Sequence, residues 1–169
     1  NFNVFWVALV GSIAGFVLAE PLRLFQGEAI LRMEIFTGML VYDSFTIYMR
    51  LVLLGFAVLF IIFTKLSGIP DREDAADIYS LVLGATLGMC LMASANHLLM
   101  VFMAIEMASV PSYVLAGMLK GRRQGSEAAL KYAVFGAGAA GVMLYGISLI
   151  AGLVGTVHLP TLAVQLAEM

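Results

Sequence analysis

Cysteine is nearly absent. Cys90 is the single one in 169 residues, so the sequence has neither a disulfide framework nor thiolate metal-ligand spacing. It stands inside an apolar run, where a lone thiol serves as a small core residue. Histidine is almost as scarce, and His97 and His158 are too far apart in sequence to form a paired-ligand motif. Charge is the next shortage: only 12% of residues are Asp, Glu, Lys or Arg, which excludes an ordinary soluble domain. Nine basic against eleven acidic residues leave a net charge of −2. The basic residues gather in loops instead of forming a stripe, which sets nucleic-acid binding aside. What fills the chain is apolar: 62% of residues are hydrophobic and mean hydropathy is +1.01. This is the composition of an integral membrane chain.

The apolar runs predict an all-α, polytopic transmembrane helix bundle, a single membrane domain of about five spans. Val4–Ala19 is the shortest, with Gly11 and Gly15 four apart and Glu20-Pro21 at its end; it barely spans the bilayer core. The segment to Asp43, with Glu20, Arg23, Glu28, Arg32 and Glu34, is too polar to cross lipid. It reads as a helix stub or short hairpin, Met33–Tyr42 being extended with Gly38 as its turn. Ser44–Lys65 is the second span, with Asp43 and Ser44 as caps and Arg50 snorkelling to the headgroups. A loop over Leu66–Asp77 carries Gly68, Pro70 and the solvated acids Asp71, Glu73, Asp74 and Asp77. Ile78–Ala95 and Leu98–Met118 follow as an antiparallel hairpin forced by the short Asn96-His97 turn, where His97 has a capping or hydrogen-bonding role. Glu127–Gly152 is the fifth span. Asn1 is not a start methionine, and the mildly amphipathic Leu159–Met169 stops without a finishing helix. Both predict a piece of a longer subunit.

Loop charge predicts orientation. Lys120, Arg122 and Arg123 lie between spans four and five, whereas the turn between spans three and four has no Lys or Arg, so the Lys120–Gly125 loop is cytoplasmic. Lys65 and Arg72 place the loop after span two on the same side. The Glu20–Asp43 segment then faces outward, against the mild dissent of Arg23 and Arg32.

Two ionisable residues stand where lipid disfavours them. Glu106 is the only charge in Leu98–Met118, and a carboxyl near the bilayer centre costs a few kcal/mol, which makes it a functional-site candidate in need of a partner. Phe102, Ser109, Tyr113 and Gly117 share its helix face. Pro111 removes a backbone donor and frees the carbonyl of Met107, an acceptor that water or a partner side chain can use. The alternative is a structural carboxyl with Pro111 as a packing kink. Lys131 is the deepest charge of the fifth span. Glu127 precedes it by four residues, so it reads equally as a helix-start ion pair and as a proton carrier. Measured from the shared loop, Glu106 and Lys131 differ in depth by ~10 Å, so they communicate only through water or other groups.

Gly136-Ala-Gly138-Ala-Ala-Gly141 matches the dinucleotide-binding string G-x-G-x-x-G, but it lies within an apolar helix instead of following a strand. Ala133, Ala137 and Gly141 read better as a close helix-packing face. The eleven methionines read as gap filler in a packed bundle, not a copper site.

Leu87-Gly-Met-Cys-Leu-Met-Ala-Ser-Ala-Asn-His-Leu-Leu, Ala104-Ile-Glu-Met-Ala-Ser-Val-Pro-Ser-Tyr-Val-Leu-Ala-Gly and Ser126-Glu-Ala-Ala-Leu-Lys-Tyr resemble the antiporter-like membrane subunit N of proton-pumping NADH:quinone oxidoreductase, respiratory complex I. The likeness is close over about residues 78–155 and one of pattern before that. It implies an antiporter-like inverted-repeat fold, with Glu106 and Lys131 carrying proton translocation and Ser109, Tyr113 and Pro111 supporting a water chain. In the family the acid pairs with a lysine of a later helix, which this chain does not contain. The resemblance further implies other complex I membrane subunits as partners, protons as the transported species and a multi-pass location in a bacterial inner membrane. FMN, iron–sulfur clusters and quinone are implied elsewhere in the complex; the sequence offers no flavin, haem, iron–sulfur or nucleotide site of its own. The runners-up are a subunit of a cation/proton antiporter or membrane-bound hydrogenase, and a non-conducting scaffold subunit.

Overall fold

The computed structural model describes residues 4–21, 31–68, 74–118 and 123–168. Its elements in order are α1 (Val4–Leu18), β1 (Met33–Ile35), β2 (Leu40–Tyr42), α2 (Ser44–Ser67), α3 (Ala75–Ala93), α4 (Leu98–Ala116), α5 (Arg123–Val154) and α6 (Leu159–Ala167). Among the described residues, four helices, α2 to α5, are long and apolar enough to cross a membrane. α1 has 15 residues, about 22 Å of helix against a hydrocarbon core of ~30 Å. It ends where Glu20 takes a φ of +57° and Pro21 follows.

Cap chemistry sets the start of α2. The Asp43 carboxylate accepts from the Thr46 amide at 2.8 Å, and Gly68 closes the helix in a left-handed conformation at φ +70°. Asp43→Ala removes a side-chain acceptor from the first turn, an expected loss of about 1 kcal/mol to be read from the shift in the thermal unfolding midpoint. The acidic loop is shorter than its charges suggest. α3 begins at Ala75 and takes Asp77 into its first turn, where a carboxylate favours the positive end of the helix dipole. Asp71 and Glu73 lie outside the described residues.

The polar segment before α2 forms the expected hairpin, with Met33 opposite Tyr42 and Ile35 opposite Leu40. The Met39 amide donates to the Phe36 carbonyl at 3.1 Å. Thr37 and Gly38 between them both have positive φ, as a tight hairpin turn requires. Arg23 and Glu28 lie outside the described residues. The hairpin does not stand alone. The Val41 amide donates to the Ser94 carbonyl and the Asn96 amide to the Met39 carbonyl, both at 2.8 Å. On the other side of the same turn, the Leu98 amide donates to the Val157 carbonyl at 2.9 Å and the Leu159 amide to the Asn96 carbonyl at 3.0 Å. Residues 94–98 thus lie between the hairpin and the α5–α6 turn, tying three connections together at one end of the bundle.

The helices α1, α2 and α3 meet around Ala8, Ile61 and Tyr79, with Phe5, Leu9, Ala75 and Leu83 packed against them. Much apolar surface stays uncovered, including Trp6, Phe63, Phe135 and Leu153. Lipid or further helices are the environments that such faces fit.

Candidate functional site

α4 carries the site. His97 caps its start, the Nδ1 atom accepting from the Leu99 amide at 3.3 Å, as expected for a polar residue at that turn. Glu106 is the ninth residue of the 19 in α4, about 12 Å from its beginning. Two glycines of α3 determine which way it faces. A Cβ on Gly88 would lie 2.7 Å from the Ala108 nitrogen, 3.0 Å from the Met107 carbonyl carbon and 3.1 Å from the Ala104 oxygen. α3 and α4 therefore touch backbone to backbone, and only glycine fits. One turn away, Gly84 faces Pro111, whose Cγ would lie 4.0 Å from an added Cβ. Ala104 and Ala108 are each about 160° round the helix from Glu106. α3 covers the proline face, leaving Glu106 turned away from it.

The helix α5 packs along the lower part of the Glu106 stripe. A Cβ on Gly117 would come within 2.8 Å of the Ala129 Cβ, and one on Gly136 would overlap the Tyr113 hydroxyl. The Tyr113 ring meets Tyr132 edge-on, centroids 4.6 Å apart. Gly136 is thus the seat of Tyr113. Gly138 and Gly141 have no neighbour within 4 Å of an added Cβ, so of the α5 glycines in this stretch it is Gly136 that meets α4. Tyrosine needs a glycine opposite it, and the face carrying Gly136 supplies one.

Hydroxyl groups cluster around Pro111, which lies inside the continuous helix α4. Ser109 Oγ donates to the Ile105 carbonyl at 2.7 Å, and Ser112 Oγ donates to the Ser109 carbonyl at 2.6 Å. Ser112 has one proton to give, so at the 3.2 Å contact between Ser112 Oγ and Tyr132 Oη the tyrosine is the donor. Sequence reasoning singled out Ser109, Tyr113 and Pro111 but missed Ser112 and Tyr132, whose link crosses from α4 to α5.

Glu106 is half-buried, and no hydrogen bond or ion pair joins it to Lys131 or to any other described residue. Lys131 pairs with Glu127, Nζ to Oε1 at 2.6 Å, on an exposed part of α5. Arg50 reaches toward the hairpin end, Nη2 donating to Ser94 Oγ at 3.4 Å with the guanidinium 6.0 Å from the Tyr42 ring centre. It finds protein groups there. Cys90 is buried, as read. No cluster of three or more His, Cys, Asp or Glu able to hold a metal occurs among the described residues. At the opposite end of α4 a cleft of about 410 Å³ is lined by Asp74, Asp77, Ser80, Leu81, Val114, Gly117 and Met118.

Glu106 and Pro111 thus lie on one continuous, apolar helix packed between α3 and α5. Residues 95–169 match the family described as NADH:quinone oxidoreductase/Mrp antiporter, TM. NADH-quinone oxidoreductase subunit N of Anaeromyxobacter sp. is 39% identical over 163 residues, which is 96% of this chain and 32% of that protein. Subunit N 2 of Chloroherpeton thalassium is 38% identical over 151 residues, 88% of this chain and 29% of that protein. The solved respiratory complex I from Thermus thermophilus contains a chain matched with a TM-score of 0.74 at 31% identity, over 97% of this chain and 36% of that one. Over most of its length the chain is similar to subunit N of NADH-quinone oxidoreductase, and it spans about a third of the length of the curated relatives it matches.

Proposed function

We propose that this chain supplies part of the proton path of an NADH:quinone oxidoreductase, driven by redox chemistry in other subunits of the same complex. The observation that carries the proposal is Glu106: an acid in the middle of a membrane helix, held by packing on the opposite face, with no partner among the described residues. A cation that approaches or withdraws from a carboxyl changes how readily it holds its proton, so a moving cation can drive the transfer. Lys131, with Glu127 as its resting partner, passes the proton onward through water, and Ser109 and Tyr113 border that water. The cleft between α3 and α4 reaches the far end of the Glu106 stripe at Gly117. On this reading the Lys120–Gly125 loop is cytoplasmic, the membrane is a bacterial inner membrane, the partners are other complex I membrane subunits, and FMN, iron–sulfur clusters and quinone are held outside this chain.

Inverted vesicles containing the intact complex provide the test. Uptake of protons on adding NADH, with no sodium requirement, is expected. Sodium-for-proton exchange without any response to NADH would instead assign the same helix chemistry to a cation/proton antiporter.

A further inference from the structure

Away from Glu106, the end of the bundle bearing the hairpin holds a second polar cluster, centred on Asn96, which is 3% exposed. Arg32 Nη2 donates to Asn96 Oδ1 at 3.1 Å, and this fixes the orientation of the amide. Its Nδ2 then faces Glu34 Oε1 at 3.2 Å, the Gly38 carbonyl at 3.2 Å and His158 Nε2 at 2.9 Å. An amide nitrogen only donates, so Nε2 must accept, and the ring proton sits on Nδ1, 2.9 Å from Thr161 Oγ1. The arrangement requires a neutral His158. Glu34 Oε1 waits 3.7 Å from the same Nε2.

We propose that His158, Asn96 and Glu34 form a protonation-operated clasp between the hairpin, the α3–α4 turn and the α5–α6 turn. A proton added at Nε2 sets two donors against each other at the Asn96 contact and turns the Glu34 contact into a charge-assisted hydrogen bond. The α5–α6 turn then exchanges its hold on Asn96 for one on β1. Because the Leu98 and Leu159 amides bridge these same two turns, loosening of the clasp is transmitted to the start of the helix that carries Glu106. Among the described residues Glu34 of β1 is the charged group beside the His158 ring and Thr161 of α6 its hydroxyl partner; Arg32 reaches the cluster through Asn96 Oδ1, and His97 pairs with His158 along the backbone. The side chains of His158 and Glu34 are 28% and 47% exposed, open to protons from solution. The clasp does not rest on the proton-path reading of Glu106.

Hydrogen exchange of the intact complex in lipid, at about pH 8 and about pH 5.5 to bracket imidazole protonation, tests it. After correction for intrinsic rates, the Leu98 and Leu159 amides are expected to exchange about three- to tenfold faster at acid pH, the change that one neutral hydrogen bond supports. His158→Gln abolishes the difference, His97→Gln retains it, and Glu34→Gln, which removes the carboxylate that the protonated ring turns to, diminishes it. An unchanged difference in His158→Gln, or none in the unsubstituted protein, overturns the clasp. Should His158→Gln not assemble, a full difference in Glu34→Gln does the same.

Discussion

Glu106→Gln in the intact complex is expected to lower NADH-driven proton uptake by about tenfold or more, the scale on which removing a positioned acid–base group acts, while the amount of assembled complex is unchanged. The two readings of this carboxyl predict different outcomes. Glutamine keeps the shape and can still hydrogen-bond, and it removes the cost of carrying an ionisable group at membrane depth, a few kcal/mol. A carboxyl that only held helices together would therefore be replaced at little cost or with some gain. A carboxyl that takes up and releases a proton has no substitute in an amide. Uptake of protons per NADH oxidised, measured beside the abundance of the complex, separates them; normal uptake would make Glu106 a structural group and favour the scaffold reading.

Gly88→Ala is the second large effect, and it acts without touching the acid. The added Cβ meets Ala108, Met107 and Ala104 at 2.7–3.1 Å, and all three contacts are backbone atoms, so no side chain can swing aside. Either α3 withdraws or α4 shifts along its length. Overpacking of this kind costs about 1–3 kcal/mol, and a shift of ~1 Å at a group that must meet its partner costs on the order of 100-fold in rate. We expect a lower unfolding temperature together with slowed proton uptake. Gly138→Ala is the matched control, since nothing lies within 4 Å of an added Cβ there and alanine is the better helix former. Equal behaviour of the two variants would mean that the α3–α4 contact does not position Glu106.

The spans α2 to α5 were legible because long apolar runs admit few other structures in lipid. The hairpin was legible too, since Gly38 supplied the turn between two short extended stretches, and the capping roles of Asp43 and His97 followed from residue type and position. What escaped was contact at long sequence separation. Gly88 looks like any helical glycine until α4 lies against it. Ser112 and Tyr132 are 20 residues apart, and the Asn96 cluster joins residues more than 60 apart; neither leaves a periodic trace. The contact of α5 with α4 was not legible because small residues occur all round that helix, and only the bulk of Tyr113 selects Gly136. The face of Glu106 was readable from helical spacing alone, but the side on which α3 covers α4 was not.

The measurement that most directly tests the proposed function is the mass of the native membrane assembly containing this chain, with its partners identified from their peptides. Co-purification of subunits bearing flavin and iron–sulfur clusters is the predicted result, and it gives Glu106 a redox driving force. An assembly holding only cation-antiporter subunits, or this chain by itself, would contradict the account by leaving the acid without that source of energy.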